Sequence, residues 1–240
     1  MTAPTDLSAR LAAIDLTSLS ASLDARGYAV VPGLVAHDDI QHLVSGFDDD
    51  ARYRKTVVME RYRFGRGVYR YYAYPLPSVL QTLREQLYVA LAPIANGWMQ
   101  KLGLATAFPS TLAELHQQCR EAQQALPTAL ILRYGPGDYN TLHQDLYGDV
   151  WFPLQAVIIA NEPDVDHTGG DLVLTEQTPR AQSRAIVLRP KKGDVVILAT
   201  NFRPAPSAKG FMRLTMRHGV SEVLSGQRHA IGVIFHDAIT

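Results

Sequence analysis

The chain has 240 residues, 47% of them hydrophobic and 19% charged, with 23 basic and 23 acidic side chains. That composition excludes a disordered or collagen-like polymer, and the zero net charge excludes a wholly basic nucleic-acid coat while leaving room for a local basic patch. Cys119 is the only cysteine, which excludes an intrachain disulfide and a Cys-rich zinc or iron–sulfur site.

In chain order, the N-terminus MTAPTDLSARLAAIDL lacks a basic region followed by an apolar stretch, so no secretory signal is expected. No apolar run is long enough for a transmembrane helix, and a cytoplasmic protein without a membrane partner is expected. Leu7, Leu11, Ile14, Leu19 and Leu23 recur at helical spacing and predict one helix closed by Gly27. Residues 27–35 read as a short strand ending in the Pro32-Gly33 turn, and His37 to Phe47 as a helix. Pro77 opens a long helix carrying Val79, Leu80, Leu83, Leu87, Leu91 and Ile94, and another runs from Thr111 to about Gln124. Past Pro127 the pattern changes to short β-like runs at 128–134, 151–160, 170–176, 184–190, 194–200, 210–218 and 228–236, separated by Gly, Pro, Asn and Asp. That succession suits a sandwich or barrel, and the lack of strand–helix alternation argues against a Rossmann-like sheet. The expected organisation is one domain over 1–240: a mainly helical support over 1–125, and a β core over 126–240.

Three positions carry metal-ligand chemistry. In an extended segment, residues i and i+2 share a face, so His143 and Asp145 are able to bind one metal. In GFMRLTMRHGV, Met212, Leu214, Met216 and His218 share the apolar face, which places His218 at the inward end of a strand. Two histidines and one carboxylate form a facial set that leaves coordination positions open, although a solvated loop and a core histidine would account for the same residues singly. On the strand after the Ser225-Gly226-Gln227 turn, Arg228, Ala230 and Gly232 share one face; an arginine beside small residues leaves room to clamp a carboxylate. His229 falls on the opposite, bulky face, which argues for packing, and His236 lies near the C-terminus.

The HxD pair, the 72 residues that separate Asp145 from His218, and Arg228 ten residues beyond His218 together resemble the Fe(II)/2-oxoglutarate-dependent dioxygenase superfamily. Tyr134 and Gly169-Gly170 are similar to features of its prolyl-hydroxylase branch. The stretches RFGRGVYRYYAYPLP, ILRYGPGDYNTLHQDLYG, GGDLVLTEQTPRAQSRA and RHGVSEVLSGQRHAIGVIFHDA resemble a bacterial family of 2-oxoglutarate-Fe(II) oxygenases predicted to act on damaged nucleic acid. The resemblance implies an α+β chain with a double-stranded β-helix (jelly-roll, cupin-like) core. It implies Fe(2+) held by His143, Asp145 and His218, 2-oxoglutarate anchored by Arg228 and Tyr134, and O2 as the other cosubstrate. The implied reaction hydroxylates a C–H bond with release of succinate and CO2, and extends to oxidative demethylation of a modified base. His143-Gln144-Asp145-Leu146-Tyr147 lacks the Asn that commonly follows HxD in the alkylation-repair enzymes, so the resemblance carries the iron site further than their substrate.

Residues 52–74 bear on the substrate. Arg52, Arg54, Lys55, Arg61, Arg63, Arg66 and Arg70 are interleaved with Tyr53, Tyr62, Phe64, Tyr69, Tyr71, Tyr72 and Tyr74. Cations for phosphate and rings for stacking suit single-stranded or damaged DNA or RNA, with Arg63, Arg66, Tyr69 and Tyr71 as the candidate contacts. A solvated β-hairpin packing its tyrosines on the helices has the same alternation. The same chemistry on a protein side chain or small metabolite is one alternative; a non-catalytic metal-binding jelly-roll module is another.

Overall fold

The structure, a computed structural model, describes residues 7–239. The first six residues, part of the stretch read as lacking a signal, lie outside them. The leucine row after Asp6 forms two helices, α1 (Leu7–Ala12) and α2 (Leu16–Arg26), where one was expected. The Asp15 carboxylate accepts hydrogen bonds from the backbone N–H groups of Thr17 and Ser18, so the chain restarts as a capped helix there. Then come α3 (His37–Ser45), α4 (Ser78–Lys101) and α5 (Leu112–Glu121), the last opened by a Thr111–Glu114 capping box.

The strands form an α+β jelly roll. Its larger sheet has seven strands, in the order Tyr28–Val31, Val195–Ala199, Leu154–Ile159, Arg228–Ile234, Leu130–Tyr134, Val68–Tyr72 and Tyr53–Val58. The facing sheet runs Arg184–Leu188, Leu172–Gln177, Gly210–Val220, Tyr139–His143 and Gly65–Arg66, with Phe202–Ser207 also paired to Gly210–Val220. Three strands of the larger sheet, and one of the smaller, come from residues 28–72, within the part expected to be mainly helical support. They are short or rich in Arg and Tyr, and lie at or next to sheet edges, where one-sided burial leaves little alternation to read.

The larger sheet is covered on both faces, which is why its central strands read as unbroken apolar runs. Along Leu154–Ile159, Leu154, Ala156 and Ile158 pack with Leu83, Leu87 and Tyr88 of α4 in the main core. Val157 and Ile159 point the other way, to pack with Leu172 and Leu174 of the facing sheet. Each such buried Leu, Ile or Val side chain stabilises the fold by about 1.5–3 kcal/mol. Arg84, on the buried stripe of α4, holds the end of the last strand: its guanidinium donates to the carbonyls of Ile234 (2.8 Å) and Phe235 (3.0 Å), to the Tyr74 hydroxyl (2.8 Å) and to Asp237 (2.7 Å). With one face against helices, the sheet keeps its other face for a cavity. No helix among the described residues is long and apolar enough to cross a membrane.

Candidate active site

A cavity of about 290 Å³ opens between the two sheets. Tyr134, Arg228, Ala230 and Gly232 line it from the larger sheet, His143 and His218 from the smaller, and Asp145 from the segment after His143. The alternation expected for the last strand holds: Arg228, Ala230 and Gly232 face the cavity, while Ile231, Val233 and Phe235 enter the core beside the helices.

Backbone register brings the three metal-ligand candidates together. His218 lies directly across from His143 in the antiparallel pair, and the imidazole centroids are 4.2 Å apart. Two residues beyond His143, Asp145 places Oδ2 3.2 Å from His218 Nε2 and Oδ1 3.6 Å from His143 Nε2. Two ligands at right angles on bonds of about 2.1 Å lie about 3 Å apart, so this donor set fits a divalent metal. His143 Nδ1 donates to the Thr141 carbonyl at 2.7 Å, which leaves Nε2 as the ligating atom. Burial raises the Asp145 carboxyl, but the charge of His143 and the contacts from His218 and Tyr147 outweigh it and hold the group well below the usual carboxylate range. Burial, then His218, lowers the pKa of His143. An ionised carboxylate and a neutral imidazole are the forms that bind metal.

Two side chains that the sequence reading passed over orient that carboxylate. The Tyr147 hydroxyl donates to Asp145 Oδ1 at 2.8 Å, and Gln155 Nε2 donates to Oδ2 at 2.9 Å while lying 3.1 Å from His218 Nε2. Gln155 left a signal: it is the polar residue in the apolar run WFPLQAVIIA, on the cavity-facing alternation.

On the opposite wall Arg228 and Tyr134 are cross-strand partners, and the guanidinium lies 5.6 Å from the ring centroid. Arg228 is 3% exposed and pairs with no carboxylate among the described residues; its Nη1 is buried without a hydrogen-bond partner. The Tyr134 hydroxyl, with Asn140 nearby, is unpaired as well. Buried donors with no acceptor fit an anionic group in the cavity. Gly170 makes room for the arginine: with φ +66, it packs where a Cβ would lie 2.8 Å from both Arg228 Cδ and Val223 Cγ2.

The rival histidines stand elsewhere. His229 packs edge-on against Phe47 at 5.7 Å, and His236 is buried, accepting from the Phe152 N–H. The four substrate candidates separate. Tyr69 and Tyr71 line the cavity and meet edge-to-face at 5.4 Å; Arg63, after the Met59–Tyr62 turn, and Arg66, on the short strand Gly65–Arg66, are exposed. Other cations of this segment are occupied structurally. Arg52 pairs with Asp49, Arg70 pairs with Asp50 and donates to the Phe47 carbonyl, and Arg54 donates to the Pro127 carbonyl beneath the Tyr71 ring.

A family described as "Oxygenase, catalysing oxidative methylation of damaged DNA" matches residues 67–238. The chain belongs to this family. The oxygenase is also 44% identical over 164 residues to uncharacterized proteins from two strains of Mycobacterium tuberculosis, a match that covers 68% of this chain and 70% of each relative. Its fold is similar to that of an oxidoreductase of the 2OG-Fe(II) oxygenase family from Burkholderia pseudomallei, with TM-score 0.55, 14% identity and 94% of each chain covered. It is similar to a Pseudomonas putida prolyl-4-hydroxylase as well, with TM-score 0.53, 15% identity, and 90% of this chain and 96% of that one covered. Family membership makes the protein an oxygenase, and the His143, Asp145 and His218 donor set fits a divalent metal. The non-catalytic module is thereby set aside.

Proposed function

We propose that the oxygenase hydroxylates a C–H bond of a modified nucleic-acid base, so that an oxidised N-methyl group leaves as formaldehyde. His143, Asp145 and His218 would hold Fe(II), and Arg228 with Tyr134 would take the far carboxylate of 2-oxoglutarate. When bound, metal and cosubstrate supply the activation of O2, with release of succinate and CO2. The chain's own part is to position and to exclude water. Gln155 and Tyr147 fix the Asp145 carboxylate from two sides, and Thr141 fixes the His143 ring. Leu130, Leu132, Val157 and Tyr71 wall the cavity with apolar surface, which keeps water from the reacting centre.

The observation that carries the cofactor assignment is the unpaired, buried Arg228 on the cavity wall across from the three ligands. The substrate reading is supported by the family's description and by the exposed Arg63 and Arg66 on either side of Phe64, which lines the cavity. The test supplies Fe(II), 2-oxoglutarate, O2 and a single-stranded oligonucleotide with an N-methylated base, and measures succinate and formaldehyde. Equimolar, methyl-dependent products are expected, with binding that weakens with salt and is lost in Arg63→Ala/Arg66→Ala. Succinate indifferent to the oligonucleotide, with no salt-dependent binding, would move the substrate to a protein side chain or small metabolite.

A further inference from the structure

The loop between the two Arg- and Tyr-rich strands holds a feature that neither the metal site nor the 2-oxoglutarate site uses. At the end of the short turn Met59–Tyr62, Tyr62 is 56% exposed; Phe64, two residues on, is 46% exposed, and their rings stack on each other with centroids 5.6 Å apart and planes 21° apart. Phe64 also lines the cavity, so the pair stands at its mouth. The position is well fixed. Gly65 and Arg66 pair with Asn140 and Tyr139 on the strand that ends in His143, and the Phe64 carbonyl accepts from both the N–H and the hydroxyl of Thr141 at 3.0 Å. Gly65, at φ +122, allows this approach, because a Cβ there would run into the Tyr139 carbonyl.

The charges around the pair are mostly positive, with Glu60 the one carboxylate on the turn. Arg61 and Arg63 flank Tyr62, are exposed, and pair with no carboxylate among the described residues. Arg66 faces Glu60 only loosely, at 3.8 Å, and its guanidinium reaches over Gly137. An exposed aromatic pair rimmed by cations at the mouth of a reaction cavity complements a partner that is both anionic and flat-faced. A nucleic-acid strand has both properties, with a phosphate and a π-face at every residue.

We infer that Tyr62 and Phe64 form a stacking platform for the base next to the one delivered into the cavity, with Arg61 and Arg63 on the neighbouring phosphates, so that the substrate is an unpaired strand. This rests on the nucleic-acid reading above and adds the form of the substrate. A paired duplex keeps its base faces stacked inside and presents none to a ring at the mouth. A single strand presents them at little cost.

The test uses the whole protein with a fluorescent single-stranded oligonucleotide containing 2-aminopurine, and the same oligonucleotide as a duplex. Wild type should bind the single strand more tightly than the duplex and quench the 2-aminopurine. Tyr62→Ala and Phe64→Ala should each weaken single-strand binding about 5- to 100-fold and lose the quench while keeping the salt slope. Phe64→Leu, which keeps apolar bulk without a π-face, should behave like Phe64→Ala. Arg63→Ala should instead lower the salt slope by about 0.7 and keep the quench. If wild type binds with a normal salt slope and the aromatic variants bind and quench as it does, the platform is wrong while the nucleic-acid reading stands. If wild type binds no oligonucleotide even at low salt, both fall. Equal displacement of the oligonucleotide by a polyglutamate peptide would overturn the platform in favour of an acidic protein segment.

Discussion

Two arginines are buried to nearly the same degree and do opposite things. Arg84 is 0% exposed, and its donors end on backbone carbonyls, the Tyr74 hydroxyl and the Asp237 carboxylate. Arg228 has no carboxylate partner, and its Nη1 is left without an acceptor. Their pKa shifts have opposite signs for that reason. Burial lowers Arg84, but Tyr74 and Asp237 more than restore it and carry it above the usual arginine value. Burial lowers Arg228 with only Tyr134 and Asp171 opposing it. A satisfied buried cation is architecture. An unsatisfied one in a cavity wall costs stability, and that cost is recovered when an anion arrives.

The comparison breaks or sharpens under substitution. The largest effect is expected at Arg84→Ala, which leaves Asp237 buried without its partner: about 3–5 kcal/mol of stability should be lost, seen as a lower urea midpoint. Arg228→Met should leave stability of the ligand-free protein equal or higher, yet weaken 2-oxoglutarate binding by about 2–5 kcal/mol, measured by titration calorimetry. A destabilised Arg228→Met with unchanged 2-oxoglutarate affinity would make the two arginines alike and remove the clamp from this wall.

Acid offers a finer test of the Arg84 side. Burial, then the charge of Arg84, lowers His116 to about 4, whereas an unfolded histidine titrates near 6.5. Between those values the unfolded chain binds the extra proton. Stability from this group is therefore full above about 6.5 and falls as pH drops toward 4, by up to about 1.4 kcal/mol per pH unit. His229 and His236, also lowered to about 4 by burial, add to the slope, so urea unfolding at a series of pH values should show it reduced in His116→Gln by one proton's share, not abolished. The smallest expected effect is at Tyr147→Phe, which removes one of the hydrogen bonds on Asp145 and should weaken Mn(II) binding by about 0.5–1.5 kcal/mol while the fold stays intact.

The residues that face the cavity were legible because period two is a local property. It placed His218 on the inward face, Arg228 beside Ala230 and Gly232, and His229 on the packed side, and the structure has all three so. The pairing of His218 with His143 was not legible, because register between strands far apart in the chain depends on bulges and turns that no short window contains. Tyr147 escaped because its role is one hydrogen bond to a neighbour two residues away. Arg84 left a trace, a cation on the apolar stripe of Leu80, Leu87 and Leu91, but apart from Tyr74 its partners Ile234, Phe235 and Asp237 lie about 150 residues further on. Tyr28–Val31 was legible within the strand expected over 27–35, and a hairpin within 52–74 was one of two readings; what the polar composition hid was the division of the Arg–Tyr segment into a cavity wall, a structural face and an exposed mouth.

The central claim is that the His143–Asp145–His218 set and Arg228 serve one chelate from opposite walls. The direct test is an anaerobic titration of 2-oxoglutarate into Fe(II)-loaded protein, following the weak visible charge-transfer band of the chelate in wild type, His218→Ala and Arg228→Met. The account predicts a saturable band in wild type, none in His218→Ala, and in Arg228→Met a band reached only at far higher 2-oxoglutarate. A folded wild type without a band, or an Arg228→Met that titrates like wild type, would contradict it.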